Sequence, residues 1–260
     1  MKNTIRRLAA RCGYEISTRP YPRLASRAEF DRARLIVETS TMLPNARLAS
    51  LYDQVSHCER MSIEGSMVEC GVWKGGAVGL VALALQNFEK QPSRQLHLFD
   101  SFTDICAPDP LFDGLRAINE LGQNTEIHSG DPVPVNGAYD SVGGHGTIIE
   151  CRELIEKRIG YPAAQIHFHV GWFQNTVPLA SSSLGPIALL RLDGDWYAST
   201  KVCLDHLYDL VVEGGFVIID DYGSYEGCQK AVDEFTEHRG IRAFMHRVDA
   251  SCYYFQKPAG

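Results

Sequence analysis

The chain has 260 residues, 45% hydrophobic and 22% charged, an ordinary composition for one large soluble domain with a full core. Its formal net charge of -7 argues against a general nucleic-acid binder, because phosphate recognition needs a clustered basic surface. Eight cysteines without a Cys-x-x-Cys pair suggest neither a zinc ribbon nor a disulfide scaffold and read as reduced cytosolic thiols.

The first residues, MKNTIRRLAARCGY, are basic but lack the apolar segment of a signal peptide, and the longest apolar stretch, VGLVALAL, is too short to span a bilayer. The expectation is a cytoplasmic protein without stable membrane insertion. Arg6, Arg7 and Arg11 are read as a solvated helical face and receive no function. Residues 1–64 predict a helical extension rather than a separate domain, with apolar residues at helical spacing in AEFDRARLIVETS and NARLASLYDQVSHCERM and a break at Leu43-Pro44.

Residues 65–260 change pattern. Short apolar runs, SMVEC, QLHLF, QIHFHV, IALLRL, GFVIID, IRAFMHRV and SCYYFQK, are separated by helix-length amphipathic segments. This alternation predicts an α/β fold with a mainly parallel sheet, helices on both faces and a hairpin from the last two strands. The connector 103–146, polar and rich in Pro, Gly and Asp, predicts a lid or substrate loop, with plain disorder as the alternative.

In open parallel sheets a ligand sits beyond the carboxyl ends of the strands, so the residues closing each run matter most. VECGVWKGGAV closes the first with Glu69 and turns through Gly71, Gly75 and Gly76 into a helix whose free N–H groups suit a nucleotide-like cofactor bearing a carboxylate. It lacks Gly-x-Gly-x-x-Gly, so it is no dinucleotide fingerprint. LHLFDSF closes the second with Asp100, an acid placed to accept from ribose hydroxyls or to cap a helix. HVGWFQNTVP closes the third with Trp172, which suits an adenine pocket and a buried core position equally. The fourth and fifth runs each end in a pair of acids, Asp193 and Asp195, then Asp220 and Asp221. Like charges gathered at one sheet edge repel, unless these acids merely cap the next helix and belong to a turn.

In order and spacing, TMLPNARLASLYDQV, VECGVWKGGA, LFDSF, GWFQNTVP and LDGDWYASTKVCLDHLYDLVVEGGFVIIDDYGSYEGCQKAVDEF resemble the macrocin O-methyltransferase family of metal- and S-adenosylmethionine-dependent sugar O-methyltransferases. The resemblance covers most of the chain. It implies a Rossmann-like class I methyltransferase with a seven-stranded sheet. S-adenosylmethionine would sit at the ends of the first strands, with Ser101 joining Glu69, Gly71, Gly75, Gly76, Asp100 and Trp172, and Mg2+ at the ends of the fourth and fifth.

On that reading a divalent cation makes the four acids tolerable. Asp193, Asp220 and Asp221 supply oxygens to a hard ion, Mg2+ or Mn2+, and Asp195 is the base that deprotonates the acceptor hydroxyl. The acceptor is expected to be a glycosylated small molecule, its identity open; a homo-oligomer is compatible with the sequence. His167 and His169 share a strand face but lie within the strand, so they read as partly buried histidines rather than ligands. His128 and His145 in the lid read as solvated and stand next in line as base. Two other readings, a haloacid-dehalogenase-type phosphohydrolase and a non-catalytic sugar- or nucleoside-binding relative, account for less. The first places its acid pair after the first core strand; the second has no use for four repelling carboxylates.

Overall fold

The computed structural model describes residues 27–121 and 132–259. In chain order the main elements are α1 (Arg27–Val37), α2 (Asn45–Met61), β1 (Ser66–Cys70), α3 (Gly76–Gln86), β2 (Leu96–Asp100) and α4 (Gly114–Leu121). A short helix α5 (Ile148–Arg152), continued by a π-helical turn, leads to β3 (Ile166–Val170), α6 (Phe173–Ser181), β4 (Ile187–Leu192) and α7 (Tyr197–Leu207). The chain closes with β5 (Val211–Ile219), α8 (Glu226–His238), β6 (His246–Arg247) and β7 (Tyr253–Gln256).

The seven strands form one sheet in the order β3-β2-β1-β4-β5-β7-β6. β1 to β5 are parallel, and β7 runs antiparallel to both β5 and β6. Strand order reverses between β1 and β4, which is where an open α/β sheet leaves a crevice for ligand. α1, α2 and α3 cover one face, with Val37, Leu51, Val55, Leu80 and Leu85 in a single core cluster with Leu96, Leu98 and Leu189. The helices of residues 27–64 therefore belong to the same core as the sheet; Arg6, Arg7 and Arg11 lie outside the described residues. α3, GAVGLVALALQ, is apolar on every side and accordingly buried, as a helix without a polar stripe must be. The opposite face packs Val177, Leu204, Leu207 and Val232 of α6, α7 and α8 on Phe99, Leu190 and Val217.

All seven expected strands form, but the run 241–248 contributes only His246–Arg247 to the sheet. Ile241, Ala243 and Met245 still pack on the core, so apolar burial there is met without ladder pairing, a distinction that hydrophobic pattern does not carry. Among the described residues no helix is long and apolar enough to cross a membrane, and the seven cysteines are free thiols.

Candidate active site

Ladder bonds carry the parallel register just past the strands and so fix the site residues. Gly71 N–H donates to Phe99 O, Asp193 N–H to Cys70 O, Asp220 N–H to Leu192 O and Gly171 N–H to Asp100 O, each at 2.8–2.9 Å. The ends of β1, β2, β3 and β4 thereby surround one cavity of about 260 Å³. Its wall includes Glu69, Gly71, Gly76, Asp100, Ser101, Trp172, Asp193 and Asp195, which brings together eight of the residues expected from sequence. Gly75, Asp220 and Asp221 do not reach it: Gly75 faces Cys151, and the two acids are 3% and 7% exposed.

The glycine turn also serves the packing of its own chain. A Cβ on Gly71 would lie 1.8 Å from the carbonyl oxygen of Asp193, and one on Gly76 would lie 2.4 Å from that of Ser40. These glycines admit neighbouring backbone of the chain itself, and Gly71 at φ +94 also holds a conformation that side chains disfavour. Asp100 is likewise engaged by its own chain. Its Oδ2 accepts from the N–H groups of Val72 (2.6 Å) and Trp73 (2.9 Å), and its Oδ1 from Phe102 N–H (2.7 Å). Three of a carboxylate's four or so lone pairs are thus used, and about one faces a ligand. Trp172 is partly exposed on the cavity wall rather than buried in the core. Glu69 keeps a buried oxygen, Oε2, without a partner.

The acids of β4 and β5 meet as their spacing suggests. Asp193, Asp220 and Asp221 each offer an oxygen, all within 4.8 Å of one another. Two arginines that sequence reading passed over share the cluster. Arg191, paired in register with Glu69 across β1 and β4, donates to Glu69 Oε1 (2.5 Å), Asp193 Oδ2 (2.9 Å) and Asp220 Oδ1 (2.6 Å). Arg47, in the first turn of α2, donates to Asp220 Oδ2 and reaches Asp249 through Nε at 2.7 Å. The signal for Arg191 was present, a lone charge inside an apolar strand, since such a charge survives burial only when paired. Even so the acids outnumber their cations. Burial, opposed by Arg191, raises Glu69 to about 8 and Asp193 to about 6. Burial and then the neighbouring carboxylates push Asp195 and Asp221 well above the ordinary range.

Asp195 sits at φ +60, a left-handed conformation that costs a non-glycine residue about 1–2 kcal/mol. Several bonds hold this turn. Trp196 N–H donates to Gly194 O (2.6 Å), Ser199 Oγ to Gly194 O (2.5 Å), and Asp195 N–H to Asp221 Oδ2 (3.3 Å). From the connector, Cys106 O accepts the Trp196 indole N–H (2.8 Å) and buried Asp113 accepts Tyr197 N–H (2.6 Å). The described parts of 103–146 are therefore packed onto the site: α4 is tied to the loop after β5 by Tyr225 OH donating to Glu120 (2.8 Å), and Tyr139 lines the cavity. His145 is 43% exposed and faces Asp104 at 3.8 Å rather than the cavity, and His128 lies outside the described residues. His167 and His169 sit beside His97 in a stacked row between β2 and β3, outside the cavity wall.

The family model for macrocin O-methyltransferases (TylF) matches residues 23–127 and 153–257. The chain is 31% identical over 217 residues to a demethyldecarbamoylnovobiocin O-methyltransferase of Streptomyces niveus, covering 84% of this chain and 75% of that one. It is 29% identical over 220 residues to an 8-demethyl-8-(2,3-dimethoxy-alpha-L-rhamnosyl)-tetracenomycin-C 4'-O-methyltransferase of Streptomyces olivaceus, covering 84% and 76%. Among solved structures it is similar to the O-methyltransferase NovP, with TM-score 0.68 and 30% identity over 92% of this chain and 93% of that one. With the seven-stranded sheet, the strand-end cavity and a match on both sides of the connector, the chain belongs to the macrocin O-methyltransferase (TylF) family, on the class I methyltransferase fold.

Proposed function

We propose that the chain transfers a methyl group from S-adenosylmethionine to a hydroxyl of a sugar on a glycosylated natural product or glycoconjugate, with Mg2+ or Mn2+ held by Asp193, Asp220 and Asp221. The observation that carries this reading is the convergence of those three carboxylates beside a cavity whose adjoining wall is the Glu69–Gly71 turn. The donors suit both groups. The partnerless oxygen of Glu69 matches the ammonium of the methionine tail, the remaining lone pair of Asp100 a ribose hydroxyl, and Trp172 and Ser101 supply further wall. The trio is oxygen-only, the donor set of hard divalent ions. The rhamnosyl group in one relative's name supports a sugar acceptor.

When bound, S-adenosylmethionine supplies an activated methyl group and the cation Lewis acidity that makes a sugar hydroxyl, otherwise near pKa ~15.7, acidic enough to react near neutral pH. Asp195, on the cavity wall two residues beyond Asp193, accepts the hydroxyl proton. The remaining task of the side chains is to hold oxygen, methyl carbon and sulfur in line, for which the packed connector and its Tyr139 form the acceptor side. The test is a mass-spectrometric screen of glycosides with S-adenosylmethionine and Mg2+, expected to show a gain of one methyl that EDTA abolishes. Full-rate transfer in EDTA rules out the metal; thermal stabilisation by NAD but not by S-adenosylhomocysteine rules out the methyltransferase.

A further inference from the structure

Both arginines in the acid cluster bridge an acid of the proposed metal trio to one outside it. Arg191 holds Glu69 and Asp193 through one nitrogen of its fork, Nη1, and Asp220 through the other, Nη2. Arg47 holds Asp220 and is anchored on Asp249, Nε to Oδ2 at 2.7 Å and Nη2 to Oδ1 at 3.3 Å. Asp220, a central member of the trio, therefore accepts from a guanidinium on each of its two oxygens.

A metal on which a fold depends is held by ligands that have no other counter-ion, so the protein unfolds when the metal is removed. Here the reverse arrangement is built. Arg191, at 3% exposure, and Asp220 are buried and paired without any metal, and neither arginine would be stranded if Asp220 turned part of its electron density toward a divalent ion. Arg191 would keep Glu69, and Arg47 would keep two bonds to Asp249. Asp195 and Asp221, whose hydrogen bond is between backbone N–H and carboxylate, have no ion pair among those found in the described residues, so the cluster stays short of positive charge.

We propose that Arg47 and Arg191 are resident counter-ions that let the site fold empty and hold the metal as a weak, exchangeable ligand. The proposal rests on the metal reading given above. It fixes a sign: taking away a guanidinium removes a competitor for the same oxygens, so divalent affinity rises. Were the arginines there to orient the carboxylates, their loss would lower metal affinity, by about 10–100-fold as for other groups that orient ligands.

The experiment uses the full chain and Mn2+ alone, followed by the loss of free-ion signal in electron paramagnetic resonance, together with melting curves in EDTA and in Mn2+. Wild type is expected to unfold cooperatively in EDTA and to bind Mn2+ weakly. Arg47→Gln and Arg191→Gln are expected to bind Mn2+ about tenfold more tightly or better, and to gain more melting temperature from it than wild type does. Weaker Mn2+ binding in Arg47→Gln overturns the proposal, as does a wild-type chain unfolded by EDTA. Arg47, with a side chain 16% exposed, decides the matter alone if Arg191→Gln does not fold. Absence of Mn2+ binding in wild type and both variants overturns the metal reading itself, and the proposal with it.

Discussion

Two polar clusters are set into the same sheet, and they have opposite character. At the ends of β4 and β5, carboxylates crowd around two arginines and the cluster keeps unspent negative charge beside a cavity. Between β2 and β3, His97, His167 and His169 stack as a row, with ring centroids of His97 at 4.6 and 5.4 Å from the other two, and His97 Nδ1 lies 3.1 Å from His169 Nε2. Burial, reinforced by the neighbouring histidines, lowers His97 to about 3, so this imidazole is neutral. What answers the charge separates them. Arg191 and Glu69 lie as far inside their strands as His169 does, yet they meet as opposite charges across the β1–β4 register, whereas His97 has Gln95 and two other histidines beside it, and the cheapest answer there is loss of charge. The acids just past the strand ends can also face a ligand.

Experiments can break this contrast. The largest expected effect is at Asp195: Asp195→Asn should lower kcat by about 10²–10⁴-fold with Mn2+ and S-adenosylhomocysteine affinity nearly unchanged. Full turnover would send the search for a base elsewhere. Next is the charged cluster's stability. Arg191→Met strands Glu69, Asp193 and Asp220, and denaturant unfolding in EDTA should show a loss of about 3–5 kcal/mol; a loss below about 1 kcal/mol would mean that the acids are solvated. Asp100→Ala should weaken S-adenosylhomocysteine by about 1.5–3 kcal/mol in calorimetry, since it removes a charged acceptor and loosens the Val72–Trp73 turn together.

The histidine row gives the smallest effect per step, graded with pH. His97 falls from an ordinary 6.5 to about 3 in the folded chain, so the unfolded chain takes up the proton first. The stability it secures is complete above pH 6.5 and lost as pH falls from there toward 3, at no more than about 1.4 kcal/mol per pH unit. His97→Leu should flatten the dependence of melting temperature on pH across the upper part of that window; an unchanged slope would show that His97 is not the group responsible.

The same contrast explains what is legible in the sequence. Strand ends are readable because apolar runs stop abruptly at acids, and IALLRLDGD and GFVIIDD mark their own boundaries. The row of histidines is visible only as His167 and His169, since pairing His97 with them needs the β2–β3 register. Asp249 and Arg47 are 202 residues apart in the chain, and no local pattern announces that they meet. The attachment of the connector is hidden for a related reason. Its Pro, Gly and Asp content suggests a lid or a disordered loop, yet Asp113 caps the first turn of α7 and Trp196 reaches back to Cys106, bonds between segments that composition does not encode.

The 1.8 Å that would separate a methyl group at position 71 from the carbonyl oxygen of Asp193 has a bearing on how such an enzyme can diversify. The glycine turn after β1 and the acid turn after β4 share a party wall one peptide thick, so neither can be rebuilt alone. An engineer seeking new acceptors by random mutagenesis should expect survivors to leave positions 71 and 193 untouched and to collect instead around Met42, Ile105 and Tyr139, on the cavity's other walls. A deep mutational scan would display that division as a map, with tolerance ending where those two backbones touch.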